Sequence, residues 1–217
     1  MEPALCLSLT IALAAVLGLR DDLPKAETLL DQWEAKGHDL LARAALQSLV
    51  MKGAMVVPGL AQKASFEEVY LGTSQVKYTT SWPVMGRQTQ GTTGALSWTT
   101  DPAFGVAIKE GDAQASVQRM YAISRRAPWR TLYERAATSR KIEVDGRPHF
   151  ELLMTPKVGA ADRWFLDCES LLLSCVDLSL PDPAGGGELA CRFAYADWQP
   201  VSGILFPRVK KQIVAGM

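Results

Sequence analysis

The sequence contains no asparagine, and its only histidines are His38 and His149. N-glycosylation acceptors and asparagine oxyanion donors are therefore excluded. Neither histidine has carboxylate or thiol partners at the spacing of a zinc site. There is no Gly-x-Ser-x-Gly elbow, and a run spaced like a P-loop, starting at Gly86, has Thr92 where the phosphate-binding lysine must stand. We predict no catalytic residue, no metal site and no cofactor, in a protein that is not an enzyme.

The chain also lacks net charge, because 23 basic residues balance 23 acidic ones. The basic residues are scattered, a pattern typical of a solvated surface. No net field exists to attract nucleic acid or an anionic membrane. The composition therefore argues against a nucleic-acid partner.

Cysteine is scarce, and the spacings of the four residues match no zinc or Cys-x-x-Cys motif. Cys6 lies near the N-terminus, and the others are Cys168, Cys175 and Cys191. In an exported protein two of these three could form a disulfide. Small buried hydrophobic thiols are the alternative.

An uncharged apolar run covers residues 4–19 and is followed by Arg20 and two aspartates. The run is short for a membrane span and fits a secretory leader, with Val16 and Gly18 near the cleavage point. The preceding residues include no lysine or arginine, so a buried first helix or an uncleaved anchor stays open. We predict a signal peptide over residues 1–20, one mature domain over residues 21–217, and a periplasmic location, or a membrane-anchored one if the leader is kept.

Helical periodicity is confined to a few segments. Pro24 opens a helix with one apolar face, which ends at Gly37. A second short helix is predicted from Asp39. A third helix covers Glu110 to Arg126, and a short one is predicted from Trp129 to Ala137.

Most other segments alternate apolar and polar residues as strands do. Asp145-Gly146 is the strongest hairpin signal among the short turns between them. The predicted strands are Ser48–Val57, Lys63–Leu71, Gln75–Trp82, Arg87–Thr99 with a break near Gly91–Gly94, Arg140–Asp145, Pro148–Pro156, Asp162–Asp167, Leu171–Leu180, Glu188–Trp198 and Ile204–Val214. About ten strands in meander order should twist into a curl. We predict an α+β, mainly β domain, in which amphipathic helices cover the concave face of a curved antiparallel sheet, a half-barrel.

Several segments carry a family resemblance: Leu23–Glu27, Val50–Met55, Phe66–Tyr70, Trp129–Tyr133, Glu143–Pro148, Leu153–Lys157 and Gly203–Pro207. They resemble the LolA-like outer-membrane lipoprotein-sorting proteins and the related LppX and LprG type lipid-binding domains. The resemblance spans nearly the whole chain after the leader. It implies a half-barrel with an apolar cavity that holds an acyl chain or a lipid. Relatives usually continue for one or two strands beyond Phe206-Pro207, so an incomplete barrel edge is expected.

The strands also present an apolar face that could line such a cavity. Along Gln75–Trp82, for example, aromatic side chains alternate with polar ones. The predicted lining residues are Phe66, Tyr70, Tyr78, Trp82, Leu96, Trp98, Trp164 and Leu166, with Met120 and Tyr121 of the middle helix as a lid. The same residues could instead fill a solid core.

The predicted function is that of a monomeric carrier that binds a lipid or a lipoprotein acyl chain and serves lipoprotein sorting or lipid transport. The alternative is an envelope interaction or sensor module, which would bind a protein on the same scaffold without transporting lipid.

Overall fold

The computed structural model describes residues 23–37, 46–56, 62–72, 74–182 and 187–214. The predicted signal peptide and the short helix predicted from Asp39 lie outside the described residues. Within these ranges, none of the helices has the length and apolar character that crossing a membrane requires.

The described chain forms two groups of six strands, with two helices between them. The first group is β1 Ser48–Val56, β2 Lys63–Leu71, β3 Gln75–Trp82, β4 Gly86–Thr92, β5 Ser97–Asp101 and β6 Gly105–Lys109. The second group is β7 Tyr133–Val144, β8 Arg147–Pro156, β9 Asp162–Asp167, β10 Leu173–Pro181, β11 Glu188–Val201 and β12 Ile204–Val214. The helices are α1 Ala26–Gly37, which precedes the strands, and α2 Gly111–Ser124 and α3 Trp129–Leu132, which separate the two groups.

Each group forms an antiparallel meander, in the orders β1 to β6 and β7 to β12. The mainly β, α+β class and the meander order are as predicted. The strands form two sheets, however, and not one continuous curl. The inserted helices α2 and α3 carry the chain away from β6 before β7 begins, so β6 and β7 are both sheet edges.

The break predicted near Gly91–Gly94 in the segment Arg87–Thr99 is confirmed, since residues 93–96 separate β4 from β5. Strand β6 was not predicted, and one helix boundary is wrong. The helix predicted from Trp129 to Ala137 ends at Leu132, and strand β7 starts at the next residue. Pairing with β8 and packing of α1 outweigh the helix propensity of Ala136-Ala137.

The predicted hairpin at Asp145-Gly146 is confirmed. Asp145 has a φ of 50° and Gly146 a φ of 76°, as a two-residue type I′ turn requires. The turn joins β7 to β8 and sets their register, in which Val144 pairs with Arg147.

The larger hydrophobic core lies between α1 and the inner face of the second sheet. Trp33 of α1 and Trp164 of β9 are both fully buried, with ring centroids 5.2 Å apart in an edge-to-face arrangement. Tyr133 also packs edge-to-face against Trp164, with ring centroids 5.5 Å apart. Leu30, Leu152 and other aliphatic side chains pack around these rings, so α1 covers the inner face of the second sheet.

A smaller core joins the first sheet to α2 and to β12. It contains Leu49, Tyr70, Val76, Val117, Tyr121, Ile204 and Phe206. Met120 of α2 packs against both cores. Helix α2 therefore connects the two sheets.

A buried ion pair fixes α2 to the second sheet. Arg119 donates to both carboxylate oxygens of Asp162, at 3.0 and 3.4 Å, and to the Val158 carbonyl oxygen at 2.7 Å. The Tyr133 hydroxyl donates to the same carboxylate at 2.6 Å, and the Trp164 indole donates to Tyr133 at 3.2 Å. The four side chains of this network are each at most 5% exposed, so the position of α2 depends on them.

The C-terminal end of α1 lies against a second buried arginine. The Arg126 guanidinium lies between the rings of Trp33 and Trp198, at 4.4 and 5.0 Å from their centroids. A Cβ atom on Gly37 would clash with this guanidinium. Glycine is therefore required at this position for close packing.

Gly37→Ala is expected to lower the free energy of unfolding by about 1–3 kcal/mol, because the guanidinium has no room to move between the two rings. Urea denaturation measures this change. Gln32→Ala, on the exposed face of α1, should change stability by less than about 0.5 kcal/mol. A stabilised Gly37→Ala protein would show that helix propensity outweighs the steric contact.

Candidate functional site

A cleft of about 320 Å³ opens beside α2, between the first sheet and the chain that follows β8. One wall is the side of α2, and the opposite walls come from β3, β4, α3 and residues 156–158. The lining residues are Ser74, Val76, Thr92, Gly94, Ala115, Gln118, Arg119, Tyr121, Ala122, Arg125, Thr131, Leu132, Pro156, Lys157 and Val158. Side chains leave this space open to a small molecule.

The cleft wall is mostly apolar. Val76 and Tyr121 belong to the smaller core, and Ala122, Leu132 and Val158 extend the apolar surface toward the second sheet. The cleft is thus continuous with the core that joins the first sheet to α2.

Hydrogen bonds hold the α2 wall in place. Gln118 donates to the Gly94 carbonyl oxygen at 2.8 Å, in the connection between β4 and β5. Arg125, at the C-terminal end of α2, donates to the Gly72 carbonyl oxygen at 3.2 Å. Together with the Arg119–Asp162 ion pair, these contacts tie α2 to both sheets.

The Tyr121 hydroxyl is a buried donor with no partner among the described residues. Tyr121 is 3% exposed, and its hydroxyl makes no hydrogen bond within the described ranges. Burial, followed by the negative charge of Glu68, raises the pKa of Tyr121 well above its usual value. The phenol therefore stays protonated near neutral pH and is available as a donor to a bound acceptor.

A polar contact lies in the smaller core, beside the cleft. Glu68 of β2 is 4% exposed, accepts a hydrogen bond from the Tyr70 hydroxyl and lies 2.9 Å from Lys210 Nζ of β12. Its neighbour Glu67 is on the other face of the sheet and pairs with Lys52. The Glu68–Lys210 ion pair joins the two sheets.

Four of the predicted lining residues share the inner face of the first sheet. The register places Phe66 and Tyr70 of β2 on the same face as Tyr78 and Trp82 of β3. The Phe66 and Tyr78 rings are stacked, with centroids 5.9 Å apart. These four side chains share one face of the sheet, and none of them lines the cleft.

Leu96 and Trp98 were expected on that face, and the structure places them elsewhere. Thr92 of β4 pairs with the inward-facing Val76, so its neighbour Gly91 faces outward. Trp98 pairs with Gly91 and with Ile108, and it therefore lies on the outer face of the sheet. Leu96 precedes β5 and is 40% exposed. The turn between β4 and β5 shifts the alternation by one residue, which moves these side chains to the opposite face.

The remaining four predicted residues belong to the cores. Trp164 and Leu166 are completely buried beneath α1 in the larger core. Met120 packs between the two cores, and only Tyr121 among the ten predicted residues lines the cleft. Sequence reasoning missed Ala115, Gln118, Ala122 and Arg125, although their spacing of three or four residues is that of one helix face.

Neither His149 nor any described acidic cluster suggests metal chemistry. The His149 ring is buried, with Nδ1 2.8 Å from the Arg147 carbonyl oxygen and Nε2 2.8 Å from Ser174 Oγ. In the described ranges no group of three or more potential ligands is arranged to hold a metal ion. His149 is thus a structural side chain that joins β8 to β10.

The three described cysteines are free thiols. Cys175 and Cys191 are buried, whereas Cys168 is partly exposed. Burial raises the pKa of the Cys175 thiol to about 12. Very little of this thiol is in the reactive thiolate form at pH 8.

Iodoacetamide at pH 8 is expected to alkylate Cys168 well before Cys175 and Cys191 in the folded protein. Peptide mass spectrometry after timed quenching measures the order. In urea all three thiols should react at similar rates. Equal rates in the folded protein would contradict the buried positions of Cys175 and Cys191.

The fold and the cleft define a class of protein: an open, two-sheet antiparallel β domain with helices on the inner faces and an apolar cleft beside the middle helix.

Solved structures share this fold. A LolA superfamily protein from Nitrosomonas europaea matches with a TM-score of 0.52 and 14% identity, over 89% of this chain and 87% of its own. An outer membrane lipoprotein-sorting protein domain from Vibrio parahaemolyticus matches with a TM-score of 0.51 and 12% identity, over 87% of this chain and 84% of its own.

A DUF1329 family protein from Desulfovibrio piger gives a TM-score of 0.51 and 12% identity, over 86% of this chain and 84% of its own. No family model matches the sequence, and no curated protein matches it significantly. At these identities the likeness establishes the fold alone. The chain shares the fold of these solved structures, and the resemblance predicted from the sequence is confirmed at the level of the fold.

Proposed function

We propose that this protein is a non-enzymatic carrier that holds one acyl chain in the cleft beside α2. The observation that carries the proposal is the cleft itself, a largely apolar space of about 320 Å³ that adjoins the smaller core. The solved structures of the same fold include a lipoprotein-sorting protein domain, which favours lipid or lipoprotein cargo.

The size of the cleft favours a single chain. Its volume is near the lower end of the roughly 300–1,000 Å³ typical of small-molecule sites, so a lipid with several acyl chains would leave most of its surface outside. Burial of about 12 methylene groups would contribute roughly 10 kcal/mol before the costs of association. That is enough for binding without covalent attachment.

Native mass spectrometry tests the proposal on protein purified from the periplasmic fraction of its native cell without detergent. We expect a mass adduct that disappears on denaturation, and one extracted acyl-bearing molecule per chain. A native mass equal to the denatured mass, in every preparation and after incubation with fatty acids, would refute the proposal.

A protein-binding module is the second candidate, and an apolar surface at the edge of the first sheet favours it. Phe104 is 87% exposed, and Val106 and Ile108 of the edge strand β6 are 71% and 49% exposed. Unprotected edge strands readily pair with a strand from another chain. Native spectra that show a stoichiometric protein partner and no lipid would favour this candidate.

The proposed carrier works in the periplasm, after removal of residues 1–20 as a signal peptide. N-terminal peptide analysis of the protein from its native cell should find a mature start near Arg20. A mature protein that still begins at Met1 would indicate a retained anchor.

A further inference from the structure

We propose that the acyl ligand of the cleft carries an anionic head group, bound by Lys157, Arg125 and the Tyr121 hydroxyl. This inference rests on the proposed carrier function and specifies its ligand as a single-chain anionic amphiphile, with a carboxylate or a phosphate as head group.

The first observation is the charge of the cleft wall. Three of the fifteen lining residues are cationic, Arg119, Arg125 and Lys157, and none is acidic. The whole chain has as many acidic as basic residues, so this is a local excess. Asp162 neutralises Arg119, and Arg125 and Lys157 are the other two cationic lining residues.

The second observation concerns the positions of these two cations. Lys157 follows β8, is exposed, and forms no salt bridge with any described residue. Arg125 is anchored at the end of α2 by its bond to the Gly72 carbonyl oxygen. The C-terminal end of a helix disfavours an anion, so the attraction must come from side chains, and mainly from Lys157.

The third observation is the Tyr121 hydroxyl. It is buried and makes no hydrogen bond to a described residue, and Tyr121 is one of the residues that line the cleft. A buried hydroxyl without a hydrogen-bond partner lowers the stability of the folded protein, because it loses its bonds to water. A ligand oxygen that accepts a hydrogen bond from it would remove this penalty. A hydrocarbon tail alone offers no acceptor, whereas a carboxylate or phosphate offers several.

These features together describe an amphiphile site. The apolar wall formed by Val76, Ala122, Leu132 and Val158 fits a tail, and the cations fit a charged head. Since Arg119 is committed to Asp162, Lys157 is the best position for a test that leaves the fold intact.

Isothermal titration calorimetry of the full chain with dodecanoate, dodecyl phosphate and dodecanol tests the proposal. The two anions are expected to bind at least about tenfold more tightly than the alcohol, and added salt should weaken only the anions. Whichever anion binds more tightly identifies the head group as a carboxylate or a phosphate.

Variants locate the interaction. Lys157→Gln should weaken binding of both anions about three- to tenfold and leave dodecanol unchanged. Lys77→Gln, at an exposed lysine on the outer face of β3, is the matched control and should change nothing. Tyr121→Phe should weaken the anions by a similar factor while the protein keeps its melting temperature, because the hydroxyl has no partner among the described residues.

Equal binding of dodecanol and the anions would overturn the head-group inference and leave the acyl carrier intact. Equal losses of anion affinity in Lys157→Gln and Lys77→Gln would overturn it as well, because the lysine in the cleft would then contribute no more than a lysine outside it. Absence of binding by all three ligands would instead count against the carrier function itself.

Discussion

Asp162→Leu is expected to lower the free energy of unfolding by about 3–5 kcal/mol, the usual cost of leaving a buried charge without its partner. Arg119 would lose both of its bonds to the carboxylate, and the Tyr133 hydroxyl would lose its acceptor. Leucine cannot replace either contact. Because the ion pair ties α2 to the second sheet, the damage should include loss of the cleft wall.

Urea denaturation followed by tryptophan fluorescence measures this effect. The double variant Arg119→Met with Asp162→Leu removes both charges and should recover most of the loss, since a buried pair contributes little beyond an apolar replacement of similar volume. Tyr133→Phe should cost only about 1–2 kcal/mol. An Asp162→Leu protein as stable as the wild type would show that the pair is not buried as described.

Ala115→Trp is expected to abolish acyl-chain binding, with an increase in the dissociation constant of at least about a hundredfold. Ala115 is half-buried on the cleft side of α2, and an indole there would occupy much of the space of a single chain. The loss corresponds to at least about 3 kcal/mol, or burial of roughly four methylene groups. Titration calorimetry with dodecanoate measures it.

The same substitution on an exposed surface is the control. Ala107→Trp adds an indole to the edge strand β6, at an alanine that lies outside the cleft. It should bind dodecanoate like the wild type. Unchanged binding in a folded Ala115→Trp protein would show that the acyl chain is held elsewhere.

Much of the scaffold was predictable because the strands alternate apolar and polar residues and have turn residues at their ends. Segments such as Lys63–Leu71 and Asp162–Asp167 match the structure residue for residue, since turn residues bound them on each side. The hairpin at Asp145-Gly146 was equally predictable, because few other dipeptides adopt two consecutive residues with positive φ.

The division into two sheets was not predictable from these local patterns. Alternation shows which residues share a face of one strand, but not which edges pair. Leu96 and Trp98 were assigned to the wrong face of the sheet for the same reason. The four residues between β4 and β5 change which alternate positions face inward, and nothing in the composition of the segment shows this change.

The cleft was beyond sequence reasoning for a different reason. Its walls come from segments far apart in the chain, such as Ser74 and Val158. Large aromatic residues were expected to line a cavity, whereas Trp164 lies in a core and small residues such as Ala115 and Ala122 line the cleft. Space in a protein arises where side chains are small, and hydrophobicity alone does not reveal it.

Photoaffinity labelling tests the central claim most directly. A dodecanoate analogue with a diazirine in its chain is bound to the full-length protein and irradiated, and the modified residues are identified by mass spectrometry. We expect label on cleft residues such as Val76, Ala122, Leu132 and Val158, and competition by unmodified dodecanoate. Label confined to the exposed surface around Phe104 and Val106, or label that dodecanoate does not displace, would contradict it.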